Sequence, residues 1–81
     1  MTKKKSERLK MLSVREAFVA DYLAPLVKVA NPSIIVVKLI ADDSGEFVRL
    51  GYANGYIANV NVTADSLNAL AADVLRYTAR H

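Results

Sequence analysis

SIIVVKLIADDSGEFVRLGYANGYIANVNV, residues 33–62, decides the fold. The stretch is β-branched and aliphatic, and turn chemistry interrupts it twice, at Asp42, Asp43, Ser44 and Gly45 and again at Asn54 and Gly55. Three strands are expected, one from Ser33, one over 46–53 and one over 56–62. Asn54-Gly55 reads as a two-residue hairpin loop, because a type I′ turn needs positive φ at both central residues. That loop sets Tyr52 opposite Ile57, Leu50 opposite Asn59 and Val48 opposite Asn61. With Asp43 and Ser44 as the other tip, Leu39 meets Val48, Val37 meets Leu50 and Ile35 meets Tyr52.

A period of two then sorts the side chains. Ile35, Val37, Leu39, Val48, Leu50, Tyr52 and Ile57 share one face, expected to lie under helices. The opposite face gathers Ile34, Val36, Ile40, Phe47, Ala53, Tyr56, Ala58, Val60 and Val62, with Lys38 directly across from Arg49 at its centre. A slip of one residue would exchange the two faces. Asn59 and Asn61 fall on the core side in this reading. Either the third strand is an edge strand whose end escapes the helices, or the face assignment fails there.

Helices flank the strands. Ser13 and Glu16 have capping-box spacing, so a helix is expected to begin near Val14. Phe18, Tyr22, Pro25, Leu26 and Val29 lie on one helical stripe, expected to be buried, with a kink or restart at Pro25, which has no N–H to donate. Asn31 and Pro32 end that helix. Thr63 is the expected cap of the last helix, with Asp65 in its first turn and Arg76 and Arg80 near its end, matching the helix dipole. Leu67, Leu70, Ala71, Val74, Leu75 and Thr78 form its buried stripe. The fold class is therefore α+β: helix, strand, strand, strand, helix, a three-stranded antiparallel meander with two helices on one face. Residues 13–81 form the single domain, and 1–12 a basic arm.

Length and composition agree with one small folded unit. The chain has 81 residues, 53% hydrophobic and 23% charged, with three Gly, two Pro and no Cys. A domain this size buries only ~60% of the surface its unfolded chain exposes, so its stability is marginal without self-association or another supplement. Absence of cysteine removes disulfides, thiolate metal sites and thiol nucleophiles together. Eleven basic residues against eight acidic give a net charge of +3. Lys3, Lys4, Lys5, Arg8 and Lys10 against Glu7 place +4 of charge in the first ten residues, and leave a body of −1. That body is a poor general binder of phosphate backbones, whereas the arm suits nonspecific contact with nucleic acid. No apolar run approaches the roughly 20 residues a membrane span requires, and no secretory leader is legible, so a cytoplasmic protein without membrane contact is expected.

Catalytic chemistry finds little support. His81, the only histidine, is the last residue, a poor place for a positioned base. Asp42, Asp43 and Glu46 cluster near a turn but lack the ligand spacing of a calcium loop. Gly45, Gly51 and Gly55 do not make a phosphate-cradling loop. No enzyme activity, no metal and no cofactor are expected.

The order helix, three antiparallel strands, helix, over about Ser13 to Arg80, is similar in topology to the double-stranded RNA-binding domain. That resemblance implies phosphate contacts from the loop between the first two strands and from the start of the last helix. Here those regions read Asp42, Asp43, Ser44, Gly45, Glu46 and Thr63, Ala64, Asp65, Ser66, acidic where the family carries cations. Separately, Asn54-Gly55-Tyr56 followed by Asn61-Val62-Thr63-Ala64-Asp65-Ser66-Leu67 and Asp73-Val74-Leu75-Arg76 resembles the ending of small uncharacterised prophage and mobile-element proteins. It implies a bacterial or phage origin and no activity.

The sharpest feature is the opposed Lys38–Arg49 pair, since like charges directly across two strands are destabilising unless solvent or an acid relieves them. Lys38, Arg49, Phe47, Tyr56, Val60 and Val62 are therefore the candidate partner-binding residues of a small non-enzymatic interaction or accessory protein. The expected partner is a second copy, giving a homodimer, or an acidic protein. In a homodimer an acid such as Glu46 of the other copy must reach the two cations. One alternative is a nucleic-acid accessory protein acting through Lys3, Lys4, Lys5, Arg8 and Lys10. Another is an oligomer that captures a small anionic ligand.

Overall fold

A computed structural model describes residues 12–80 of the chain. The order is α-helix α1 (residues 12–18), a π-helical turn Val19–Leu23, helix α2 (Ala24–Ala30), strands β1 (Ile34–Asp42), β2 (Gly45–Tyr52) and β3 (Ile57–Asn61), then helix α3 (Leu67–Arg80). The strands form an open antiparallel sheet in the order β1-β2-β3. One face packs on the helices, giving the α+β meander that the turn spacing requires. Among the described residues no helix is long and apolar enough to cross a membrane.

The first helical run differs from its sequence reading in three ways. Residue 12 is already helical, so Ser13 sits inside the helix instead of capping it. Pro25 does not break the run. The backbone widens ahead of it into a π-turn in which the Ala24 N–H bonds to Val19 O, and Pro25 falls in the first turn of α2, where a missing N–H is tolerated. The buried stripe is also not the aromatic one. Arg15, Val19, Leu23 and Val27 are buried, whereas Val14, Tyr22, Leu26 and Val29 are exposed and Phe18 is half-buried. Each four-residue step in an α-helix overshoots a full turn by about 40°. The wider π-turn cancels part of that drift, which keeps a strict four-residue spacing on one side over 12 residues.

Between β1 and β2 the register is as expected: Val37 pairs with Leu50, Lys38 with Arg49 and Leu39 with Val48, around the Asp43-Ser44 tip. The tip is held by Asp42 Oδ1, which accepts from the Ser44 N–H at 2.8 Å and from its hydroxyl at 2.6 Å. These bonds to the charged carboxylate lower the Asp42 pKa. An irregularity between Ile34 and Val36 pairs Ile34, not Ile35, with Tyr52. Ile34 is buried and Ile35 is 56% exposed, the reverse of the expected placement.

The second hairpin corrects the register of β3. Tyr52 N–H donates to Tyr56 O, and Gly55 N–H to Tyr52 O, so the loop has three residues, Ala53, Asn54 and Gly55. Only Gly55 there takes positive φ, +90°. This is a type I turn closed by a left-handed glycine, not the type I′ turn that Asn-Gly also suits. One added loop residue moves every β3 side chain to the other face. Leu50 pairs with Ala58 and Val48 with Val60, while Ala58, Val60 and Val62 join the core side and Asn59 and Asn61 leave it.

The core comprises Val19, Leu23, Ala24 and Val27 from the first helical run, Ile34, Val37, Val48 and Leu50 from the sheet, Ala58 and Val62, and Leu70 and Val74 from α3. Burying each large aliphatic side chain contributes about 1.5–3 kcal/mol. Helix α3 is capped by Ser66, whose Oγ accepts from the Ala69 N–H at 3.1 Å, so Thr63 is not the cap. Thr63 instead ties the β3–α3 connector to β2, its Oγ1 accepting from the Glu46 N–H at 2.9 Å.

Candidate docking surface

Corrected register builds the solvent-facing side of the sheet in three rows. Val36, Gly51 and Ile57 form the first. Lys38, Arg49 and Asn59 form the second, and Ile40, Phe47 and Asn61 the third. In the first row a Cβ on Gly51 would lie 3.1 Å from Val36 Cβ, so the valine covers the glycine. Val36 is 41% and Ile57 57% exposed. In the middle row Arg49 Nε donates to Asn59 Oδ1 at 3.2 Å, a neutral partner. Among the described residues neither Lys38 nor Arg49 forms an ion pair. The face is thus a cationic bar with an apolar row on one flank and Ile40 and half-buried Phe47 on the other.

Of the six expected contact residues, the sheet brings Lys38, Arg49 and Phe47 together. Val62 is fully buried, and Val60 is half-buried on the core side, both moved by the three-residue loop. Tyr56 turns away from the open face: its ring lies 5.4 Å from that of Tyr52, a core-packed residue. Burial, and then a hydrogen bond to Tyr56, raises the pKa of Tyr77 on α3, so Tyr56 belongs to a tyrosine cluster on the helical side. Ile57 takes the place expected for Tyr56, Val60 and Val62. Lys3, Lys4, Lys5, Arg8 and Lys10 lie outside the described residues. A shallow cleft of about 360 Å³ is lined by Asn31, Ser33, Tyr52, Ala53 and Asn54 and offers no cation to an anionic ligand.

Sequence reasoning missed a second polar centre. Arg15 is 9% exposed; its Nε donates to Glu46 Oε1 at 2.7 Å and its Nη2 to Val62 O at 3.1 Å, while Nη1 bonds to Asp65 O. Glu46 is therefore engaged on the helical side of the sheet. Beside it, Asp65 Oδ2 is enclosed and, with its own carboxyl and that of Asp73 both ionised, faces no donor among the described residues. A hydrogen bond with the Asp73 carboxyl, burial and the Asp73 charge raise the Asp65 pKa, against a smaller opposing effect of Arg15. A proton on Asp65 supplies the donor between the two carboxyls, and Asp73 Oδ1 also accepts from Arg76 Nη1 at 3.4 Å.

The sign of the pH effect follows. A carboxyl whose native pKa lies above its unfolded value contributes stability that is fully present below the unfolded value and lost as pH rises through the native one. Asp65→Asn supplies the donor at every pH. The variant is expected to be more stable than the parent at pH 7, with the difference shrinking as pH falls toward 4. Urea midpoints at stepped pH measure this, and a difference independent of pH would refute it.

No family model, curated protein or solved structure matches the chain.

Proposed function

We propose that the chain is a small non-enzymatic interaction protein whose open sheet face docks an acidic partner. The observation that carries this reading is the unneutralised Lys38–Arg49 bar beside an exposed apolar row. Opposed cations in adjacent strands repel, and a carboxylate from a partner converts that repulsion into attraction in a single contact. Val36 and Ile57 supply the apolar area, so the patch combines steering charge with desolvated contact. Pairing two copies through this face suits it less well. A twofold axis through the bar would bring four cations together, and Glu46, the acid nearest in sequence to relieve them, is held by Arg15 on the other side.

The test is a titration of the ¹⁵N-labelled protein with a peptide alternating Glu and Leu, followed by amide shifts. Shifts are expected at Lys38, Arg49, Val36 and Ile57, weakening with salt. Lys38→Glu/Arg49→Glu is expected to reduce affinity at least tenfold without altering the fold, since both side chains point to solvent. Equal binding of a peptide alternating Lys and Leu, or shifts confined to the helices, would overturn the reading.

A further inference from the structure

The helical side carries a surface that the docking face does not explain. Val14, Tyr22, Leu26 and Val29 are 58, 67, 56 and 82% exposed, and Phe18 lies among them with its ring 6.0 Å from that of Tyr22. From these observations we infer that this stripe is the contact through which two copies of the chain form an antiparallel, twofold dimer. The four exposed side chains present on the order of 500 Å², near the upper end of the roughly 300–600 Å² of the largest patch on a typical monomer. Phe18 and the flanking row of Ala17, Asp21 and Pro25 bring the surface toward the ~800 Å² that each partner contributes to a stable interface.

Charge selects the occupant. The five side chains Val14, Phe18, Tyr22, Leu26 and Val29 are uncharged, in contrast to the sheet face, and the exposed Asp21, between Ala17 and Pro25 on the flanking row, falls at the rim of the contact. Arg15, on the neighbouring buried row, is already neutralised by Glu46. Phe18 and Tyr22 sit near the middle of the 14–29 stripe, where a twofold axis places them against the same residues of the partner. Aromatic anchors at the centre of an interface carry most of its binding energy. The π-turn keeps Phe18, Tyr22 and Leu26 in one row, so a straight partner helix follows it. A dimer built this way leaves both sheet faces open and presents the acidic partner with two sites.

Single cysteines test the contact, because the chain has none of its own. Under mild oxidation Tyr22→Cys is expected to form a disulfide-linked dimer of twice 8.9 kDa, and Lys38→Cys, on the sheet face, is not. Sedimentation equilibrium of the unmodified chain is expected to give the doubled mass. Leu26→Lys and Val29→Lys, at exposed positions, are expected to give monomer with an unchanged circular dichroism spectrum. A monomer of the unmodified chain at 100 µM, cross-linking through Lys38→Cys alone, or a dimer that survives both lysine variants would overturn the inference. The peptide titration reads the sheet face independently, so loss of the dimer and loss of acidic binding are separate outcomes.

Discussion

Arg15→Ala is expected to lower the free energy of unfolding by about 3 kcal/mol, a fall in melting temperature of roughly 12–24 °C for a domain of this size. Three acceptors lose a donor at once, of which Val62 O keeps the Asp65 N–H at 3.0 Å and Asp65 O is left bare. Val62 O and Asp65 O belong to the connector between β3 and α3, and Glu46 stands at the start of β2. The connector therefore depends on the first helical run for its polar satisfaction. A buried carbonyl left without a donor costs about 1–3 kcal/mol. The Glu46 carboxylate, with its side chain 29% exposed, recovers part of its solvation and adds less. Whole-domain stability at about 0.05–0.15 kcal/mol per residue makes the loss a quarter or more of the total. Arg15→Lys should recover only part of it, because one ammonium cannot span three acceptors as a planar fork does. Lys38→Ala, on the exposed bar, should fall within about 0.5 kcal/mol of the parent. Urea unfolding followed by circular dichroism ranks the three. A loss under 1 kcal/mol for Arg15→Ala would mean that the fork does not hold the connector.

Why that fork was illegible in the sequence is a matter of distance along the chain. Arg15 meets partners 31, 47 and 50 residues away, and nothing in its neighbours distinguishes it from a solvated helix arginine. The first hairpin, by contrast, was legible because Asp42, Ser44 and Gly45 admit one loop length, and Lys38–Arg49 followed from it. At the second hairpin Asn54-Gly55 suits two loops that differ by one residue, and only packing chooses between them. Polar Asn59 and Asn61 alternating with Ala58, Val60 and Val62 contained the answer: apolar side chains belong on the buried face, so the three-residue loop is the one that satisfies the core. Aromatic content misdirected the helix reading. Phe18 and Tyr22 look like core residues, yet the aliphatic row Val19, Leu23 and Val27 is the one that fits close against β1. A π-turn has no sequence signal beyond Pro25, so the four-residue spacing of both rows could not be anticipated.

Gly45→Ala is expected to be the most damaging change at any glycine, costing about 2–4 kcal/mol. Two independent effects add there. The residue holds φ at +140°, a backbone region that side chains with a Cβ rarely adopt, and that strain alone is worth roughly 1–3 kcal/mol. A Cβ would also fall 2.4 Å from Thr63 Oγ1, well inside van der Waals contact. Thr63 cannot move freely, because that oxygen accepts from the Glu46 N–H at 2.9 Å and its own N–H donates to Asn61 Oδ1 at 2.9 Å. Displacing it loosens the same connector that Arg15 holds from the other side. Gly55→Ala isolates the backbone effect: φ there is +90° and none of the described residues lies within 4 Å of the added methyl, so about 1 kcal/mol is expected. The steric part is read from a double-mutant cycle with Thr63→Ala, which removes Oγ1. Combining it with Gly45→Ala should cost about 1 kcal/mol less than the two single losses together, because the second substitution vacates the space the first one needs. Strict additivity would show that the glycine is required for its backbone angle alone.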